Sequence, residues 1–132
     1  MPLSDTVRAF LDSPRFGVLG TVQADGTPHL TVMWYMLDDD EIMMNTTADR
    51  VKAVNLRRDP RVALCIEDAH RYVTIYGSVR LIDDQATAQA DVYRLALHYT
   101  NPTAAERMVR EQFSQQQRLT LRMQIERVVN HL

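Results

Sequence analysis

Hydrophobic and polar positions along this chain change period several times, and each change marks an element. Residues 3–13 place Val7, Phe10 and Leu11 on one face at helical spacing, Ser4 stands where an N-cap belongs and Pro14 follows the end, so a short packing helix is expected. Residues 17–23 (GVLGTVQ) are rich in β-formers, and Asp25 and Gly26 supply the pair favoured in tight hairpins, so a strand, a turn and a second strand follow. That second strand, residues 29–37 (HLTVMWYML), departs from simple alternation. One face carries Leu30, Val32, Trp34 and Met36, the other Thr31, Met33, Tyr35 and Leu37, so both faces ask for burial. A small antiparallel barrel covers only the inner face, and the outer one needs a helix, a partner subunit or a flat ligand.

Asp38, Asp39 and Asp40 make the next turn; consecutive turn side chains diverge and no calcium-loop ladder follows, so this reads as a solvated acidic turn. Residues 41–45 (EIMMN) and 62–66 are short strands, and residues 72–81 place Val73, Ile75, Val79 and Leu81 opposite Tyr72, Thr74, Tyr76, Ser78 and Arg80. Ala86, Ala90, Tyr93 and Leu97 then recur at helical spacing after the cap candidates Asp83 and Asp84. Asn101 and Pro102 end that helix and open another, carrying Ala105, Met108, Val109 and Phe113. Residues 119–129 predict a final strand, in which Leu119, Leu121, Met123 and Ile125 alternate with a polar side of Arg118, Thr120, Arg122, Gln124 and Glu126. The pattern predicts a mainly β fold: a six-stranded antiparallel β-barrel, closed or nearly so, with short flanking helices.

Residues 45–60 (NTTADRVKAVNLRRDP) gather hydroxyls, an amide and basic side chains at a strand-to-helix corner. Asp49 is the N-cap candidate, residues 50–58 have helical propensity, and Pro60 stops them. Such a corner aims unpaired N–H groups and the positive end of the helix dipole at one spot, where an anion settles, and Arg50 and Lys52 add full charges. Ordinary capping and a solvated basic face would look the same in sequence.

Composition narrows the function classes. The 132 residues suit one domain, 1–132, and 45% hydrophobic with 24% charged residues is an ordinary globular mix. A net charge of −2 argues against a general nucleic-acid binder. One cysteine, Cys65, excludes an internal disulfide, no apolar run is long enough to span a bilayer, and the N-terminus lacks a signal-peptide pattern, so a cytoplasmic protein with no membrane contact is expected. His29, His70, His98 and His131 lie far apart without ligand spacing, so no metal site is expected. Nucleophile-elbow, Walker A and G-x-G-x-x-G motifs are absent from the sequence. Few catalytic candidates beside one anion grip suit a protein that holds a reactive cofactor.

The series FGVLGTVQADGTPHLTVMWYMLDDDEIMMNTTADRVKAVNLRRDPRVALCI, followed by RYVTIYGSVRLIDD, resembles the pyridoxamine 5′-phosphate oxidase-like split β-barrel superfamily. Within it the chain is similar to the small F420-dependent oxidoreductases. The resemblance implies an FMN-binding split-barrel fold and a homodimer with two cofactor sites at the subunit interface, each taking coenzyme F420, a deazaflavin, or alternatively FMN. It implies that Arg50 and Lys52 hold the cofactor phosphate with Thr46 and Thr47 at its approach. His29, Thr31, Val32 and Met33 would lie along the tricyclic ring, Asn55 would steady the grip helix, and Tyr72 or His70 of the partner subunit would close the site. The expected reaction is hydride transfer from the reduced cofactor to a small conjugated electrophile, with Tyr35 or Tyr76 as candidate proton donors; an FMN-dependent oxidoreductase and a carrier without turnover are the alternatives. Arg15, Arg57 and Arg58 could meet a polyglutamate tail or serve only as surface charge. True pyridoxamine phosphate oxidases use a longer C-terminal segment with a substrate-binding Arg and His, so their activity is not expected here.

Overall fold

Residues 3–132 are described by a computed structural model of the chain. In chain order they form α1 (Asp5–Asp12), β1 (Gly17–Val22), β2 (Pro28–Met33), β3 (Met36–Asp38), β4 (Glu41–Thr47), α2 (Val51–Arg58), β5 (Arg61–Asp68), β6 (Arg71–Ile82), α3 (Gln85–Tyr99), α4 (Pro102–Glu111) and β7 (Arg118–His131). A 3₁₀ turn, Phe113–Gln115, precedes the last strand. The strands make one sheet in the order β2-β1-β5-β6-β7-β4-β3, antiparallel at every pairing.

The two edge strands, β2 and β3, are separated in the chain only by Trp34 and Tyr35. The sheet must therefore curl until its edges meet at that corner, which makes a split barrel rather than a closed one. The mainly β class is as expected, but the strands number seven, not six, because residues 29–37 break in the middle. The break has a long-range cause: the Tyr99 hydroxyl of α3 accepts the Tyr35 backbone N–H at 3.0 Å. The Tyr35 ring turns into the core, where its hydroxyl donates to the Leu11 carbonyl at 3.1 Å.

Inward positions of the strands, among them Leu19, Ile42, Leu64, Ile75 and Leu121, form the main core with Val7, Phe10 and Leu11 of α1 and Ala53 and Leu56 of α2. Each such side chain contributes roughly 1.5–3 kcal/mol by leaving water. A second, separate cluster joins Val92, Ala96, Ala105 and Phe113, with Trp34, Met108 and Val109 packed against it. It fixes α3 and α4 as a wall outside β4 and β7. The caps follow the sequence: Ser4 Oγ accepts from Val7 N–H, Asp84 from Thr87 N–H and Asn101 from Ala104 N–H. The acidic turn is not simply solvated, since Asp38 pairs with Arg94 and Arg122, and Glu41 with Arg122 and Arg80. Hydrogen bonds from the two guanidinium groups hold the Asp38 carboxyl down at about 2.

Candidate functional site

The corner between β4 and α2 opens onto a cleft of about 440 Å³ between the barrel and the helical wall. One side is polar: Asn45, Thr46, Thr47, Arg50 and Lys52 come from the β4–α2 segment, Gln116 from the end of the 3₁₀ turn and Arg118 from the start of β7. The other is apolar: Val32, Met33 and Trp34 from the end of β2 face Leu95, Met108 and Phe113. Phe16, at its mouth, belongs to a ladder of stacked rings in which Tyr99 lies 5.8 Å from Phe16 and 5.0 Å from Trp34, centroid to centroid.

Local chemistry at the corner differs from the expected cap. Arg50, not Asp49, occupies the N-cap position of α2, and no side chain caps the helix. The Arg50 guanidinium turns back to donate from Nε to Thr47 Oγ1 at 3.3 Å. Among the described residues the backbone N–H groups of Val51 and Lys52 find no acceptor. The helix therefore presents free donors and its positive end, as an anion site requires.

Among the described residues three cations line the cleft and no carboxylate does. Lys52 is only 6% exposed, and among the described residues its ammonium makes neither an ion pair nor a hydrogen bond. Burial first, then the charges of Arg50 and Arg118, pull its pKa below the ordinary lysine value. Arg118 is 8% exposed; its Nε donates to Asn45 Oδ1 at 2.9 Å and NH1 to Gln116 Oε1 at 2.6 Å, both neutral acceptors. Burial and the Arg50 charge lower its guanidinium to about 10. Buried cations without counter-ions are costly, and two of them beside the exposed Arg50 mark a place built to receive negative charge.

Of the residues singled out from sequence, Val32, Met33, Thr46, Thr47, Arg50 and Lys52 line the cleft together. His29 and Thr31 lie farther along β2, where His29 Nδ1 and Thr31 Oγ1 are buried without a hydrogen-bond partner. Asn55 lies on the buried face of α2 and donates from Nδ2 to Thr21 Oγ1 at 3.1 Å, which ties the helix to β1. Tyr72 stacks on His131, ring centroids 4.4 Å apart, at the far end of β6. Neither candidate proton donor reaches the cleft: Tyr35 is buried in the core, and Tyr76 lies on the outer face of the sheet beneath Arg127. Arg15 and Arg58 are also engaged elsewhere, Arg15 with the Phe10 carbonyl and Asp68, Arg58 with Asn55 and the Val22 carbonyl. The sequence reading missed Arg118, Gln116, Trp34 and Phe113. Arg118 and Thr120 read there as the polar side of β7, but α3 and the 3₁₀ turn cover that side and bury both.

Comparison with known proteins places this chain in a lineage. The family model described as pyridoxamine 5′-phosphate oxidase matches residues 3–131. The chain belongs to the pyridoxamine 5′-phosphate oxidase family. A curated family relative, the F420H(2)-dependent biliverdin reductase of Mycobacterium tuberculosis (strain CDC 1551 / Oshkosh), is 28% identical over 129 residues, 96% of this chain and 87% of the relative. The crystal structure of conserved hypothetical protein Rv2991 from Mycobacterium tuberculosis superposes with a TM-score of 0.82 at 32% identity, covering 99% of this chain and 87% of that one. A structure named F420 reductase shares the fold, with a TM-score of 0.77 at 23% identity over 96% of this chain and 98% of that one.

Proposed function

We propose that this protein is a cytoplasmic oxidoreductase that works as a homodimer and holds coenzyme F420 in the cleft, its phosphate against Arg50, Lys52 and the free N–H groups of α2. The observation that carries the reading is the set of buried, uncompensated cations beside an uncapped helix N-terminus, facing an apolar wall. These residues fit a flat, phosphate-bearing cofactor: the cations meet its anionic end, and Met33, Trp34 and Phe113 offer surface to a ring. F420 is preferred to FMN because the curated relative is named as dependent on F420H(2).

When bound in its reduced form, such a cofactor supplies a hydride to a conjugated acceptor. The chain's own side chains bind, orient and exclude water. The lining residues include no carboxylate, imidazole, thiol or phenol, so no dedicated acid, base or nucleophile is assigned. Titrating the purified protein with F420 and FMN separately, by each cofactor's fluorescence, is expected to give binding at micromolar concentration or better, with F420 the tighter. A reductase assay with reduced F420 follows, biliverdin being the first acceptor because of the relative's name. Binding without turnover on a broad acceptor panel would favour a carrier, and no binding of either cofactor would remove the reading.

The dimer rests on the outer face of β2, where Leu30 is 65% and Val32 68% exposed. Directly opposed residues share a face, so Leu30, Gly20, Ala63 and Tyr76 form one row and Val32, Val18, Cys65 and Thr74 the next. This flat, weakly polar surface reaches the cleft through Val32, so a second copy covering it would also close the cleft's open side. Leu30→Glu is expected to convert a dimer into a monomer in light scattering and to weaken cofactor binding, while leaving the fold intact. A wild-type monomer at micromolar concentration would overturn this assembly.

A further inference from the structure

Charge balance over the cleft leaves at least one cation without a role. With Arg50 and Lys52 on the cofactor phosphate, a phosphodiester brings one negative charge and a monoester about 1.5 to 2. Arg50, Lys52 and Arg118 bring three positive charges between them, so positive charge remains in either case.

Arg118 is set apart from the other two by what fixes it. Asn45 and Gln116 take its Nε and NH1 protons, and its guanidinium carbon lies 4.9 Å over the Phe113 ring. These contacts orient the group without neutralising it. Among the described residues its other terminal nitrogen, NH2, has no hydrogen-bond partner and stays open to the cleft, while most of the residue is buried. The Asn45 amide is itself held, because Nδ2 donates to the Ala88 carbonyl at 2.9 Å and to Thr120 Oγ1 at 3.2 Å. Arg118 therefore stands as a preset fork at the join between the cationic floor and the apolar helical wall. A planar oxyanion supplies both the missing charge and the missing acceptor there.

We propose that Arg118 seats a second oxyanion, a carboxylate, separate from the cofactor phosphate. This rests on the cofactor reading above. The carboxylate has two possible sources with one chemistry: an acidic acceptor molecule, or the acidic tail that F420 carries and FMN lacks.

The test compares Arg118→Gln, Arg118→Lys and Lys52→Met with the wild type. Each protein is titrated with FMN, with F420 and, in the FMN-loaded form, with cinnamate and methyl cinnamate by equilibrium dialysis. Arg118→Gln is expected to leave FMN affinity within about twofold, while Lys52→Met weakens it by about tenfold or more. Arg118→Gln is expected to lose about tenfold on F420, or on cinnamate but not its methyl ester. A loss on F420 alone identifies the tail, and a loss on cinnamate alone identifies the acceptor. Arg118→Lys keeps the charge but not the fork and is expected to keep part of the preference, which separates charge from packing. Equal losses on FMN for Arg118→Gln and Lys52→Met would make Arg118 a third phosphate ligand and overturn the proposal, as would unchanged affinities throughout. If neither cofactor binds the wild type, the cofactor reading fails by itself; an acid-over-ester preference of the cofactor-free protein that Arg118→Gln abolishes would still support the seat, and its absence would sink it.

Discussion

Lys52→Met should weaken cofactor binding by roughly 10- to 100-fold and, in the same protein without ligand, raise the melting temperature by roughly 2 to 5 °C. The two effects have one cause. Lys52 is buried at the start of α2 with no counter-charge among the described residues and with Arg50 and Arg118 close enough to depress its pKa. Its charge therefore costs free energy in the empty cleft and returns it only when an anion arrives. Methionine keeps the length and apolar character of the stem, so packing changes little. The pH dependence follows from the lowered pKa. Between the folded and unfolded values the unfolded chain binds more protons, so wild-type stability rises with pH across that window. The thermal advantage of Lys52→Met should therefore shrink as pH rises through it, while phosphate binding by the wild type weakens as the ammonium loses its proton. Calorimetry with and without FMN or F420, at neutral and alkaline pH, checks both halves. A variant that melts lower and binds unchanged would reduce Lys52 to a packing stem.

The same residue shows how far local sequence reaches. Lys52 and Arg50 could be singled out because a strand, two threonines, a short helix and Pro60 follow in order, and every one of those signals is local. The caps at Ser4, Asp84 and Asn101 were legible for the same reason. The break at Trp34 and Tyr35 was not, because the group that takes the Tyr35 N–H is the hydroxyl of Tyr99, 64 residues later. Arg118 was hidden by its own pattern, since alternation with Leu119 and Leu121 reads as a solvent face until α3 and the 3₁₀ turn are laid across it. The register that sets Arg118 opposite Thr47, and so joins the two halves of the cation cluster, depends on pairing β7 with β4. Asp49 lost the cap to Arg50 because a backbone turn, Arg50 N–H to the Thr47 carbonyl at 3.2 Å, carries the chain one residue further before the helix begins.

The register of β7 against its other neighbour, β6, rests on Gly77, and Gly77→Ala is expected to break it. The ladder between β6 and β7 shifts after Tyr76, which opposes Arg127, so that Gly77 opposes Ile125 and Glu126 is the extra residue of a bulge. A Cβ on Gly77 would stand 1.9 Å from the Gln124 carbonyl oxygen and 3.0 Å from its carbon. Both atoms are backbone, so no rotamer change relieves the clash and the strands must part or slip. A slip of one residue would send the side chains of β7 to opposite faces, taking Leu119, Leu121 and Met123 out of the core and turning Arg118 away from Asn45. The cost should exceed about 3 kcal/mol, a large share of the roughly 5–15 kcal/mol that holds a domain together. Gly20→Ala is the matched control: its Cβ would meet the flexible Leu30 Cδ2 at 3.3 Å and the Ala63 carbonyl oxygen at 3.7 Å, so it should melt within a few degrees of wild type. Chemical denaturation of the two variants side by side decides the matter, and a Gly77→Ala protein as stable as Gly20→Ala would mean that the β6–β7 bulge can relax without loss of the cleft it orients.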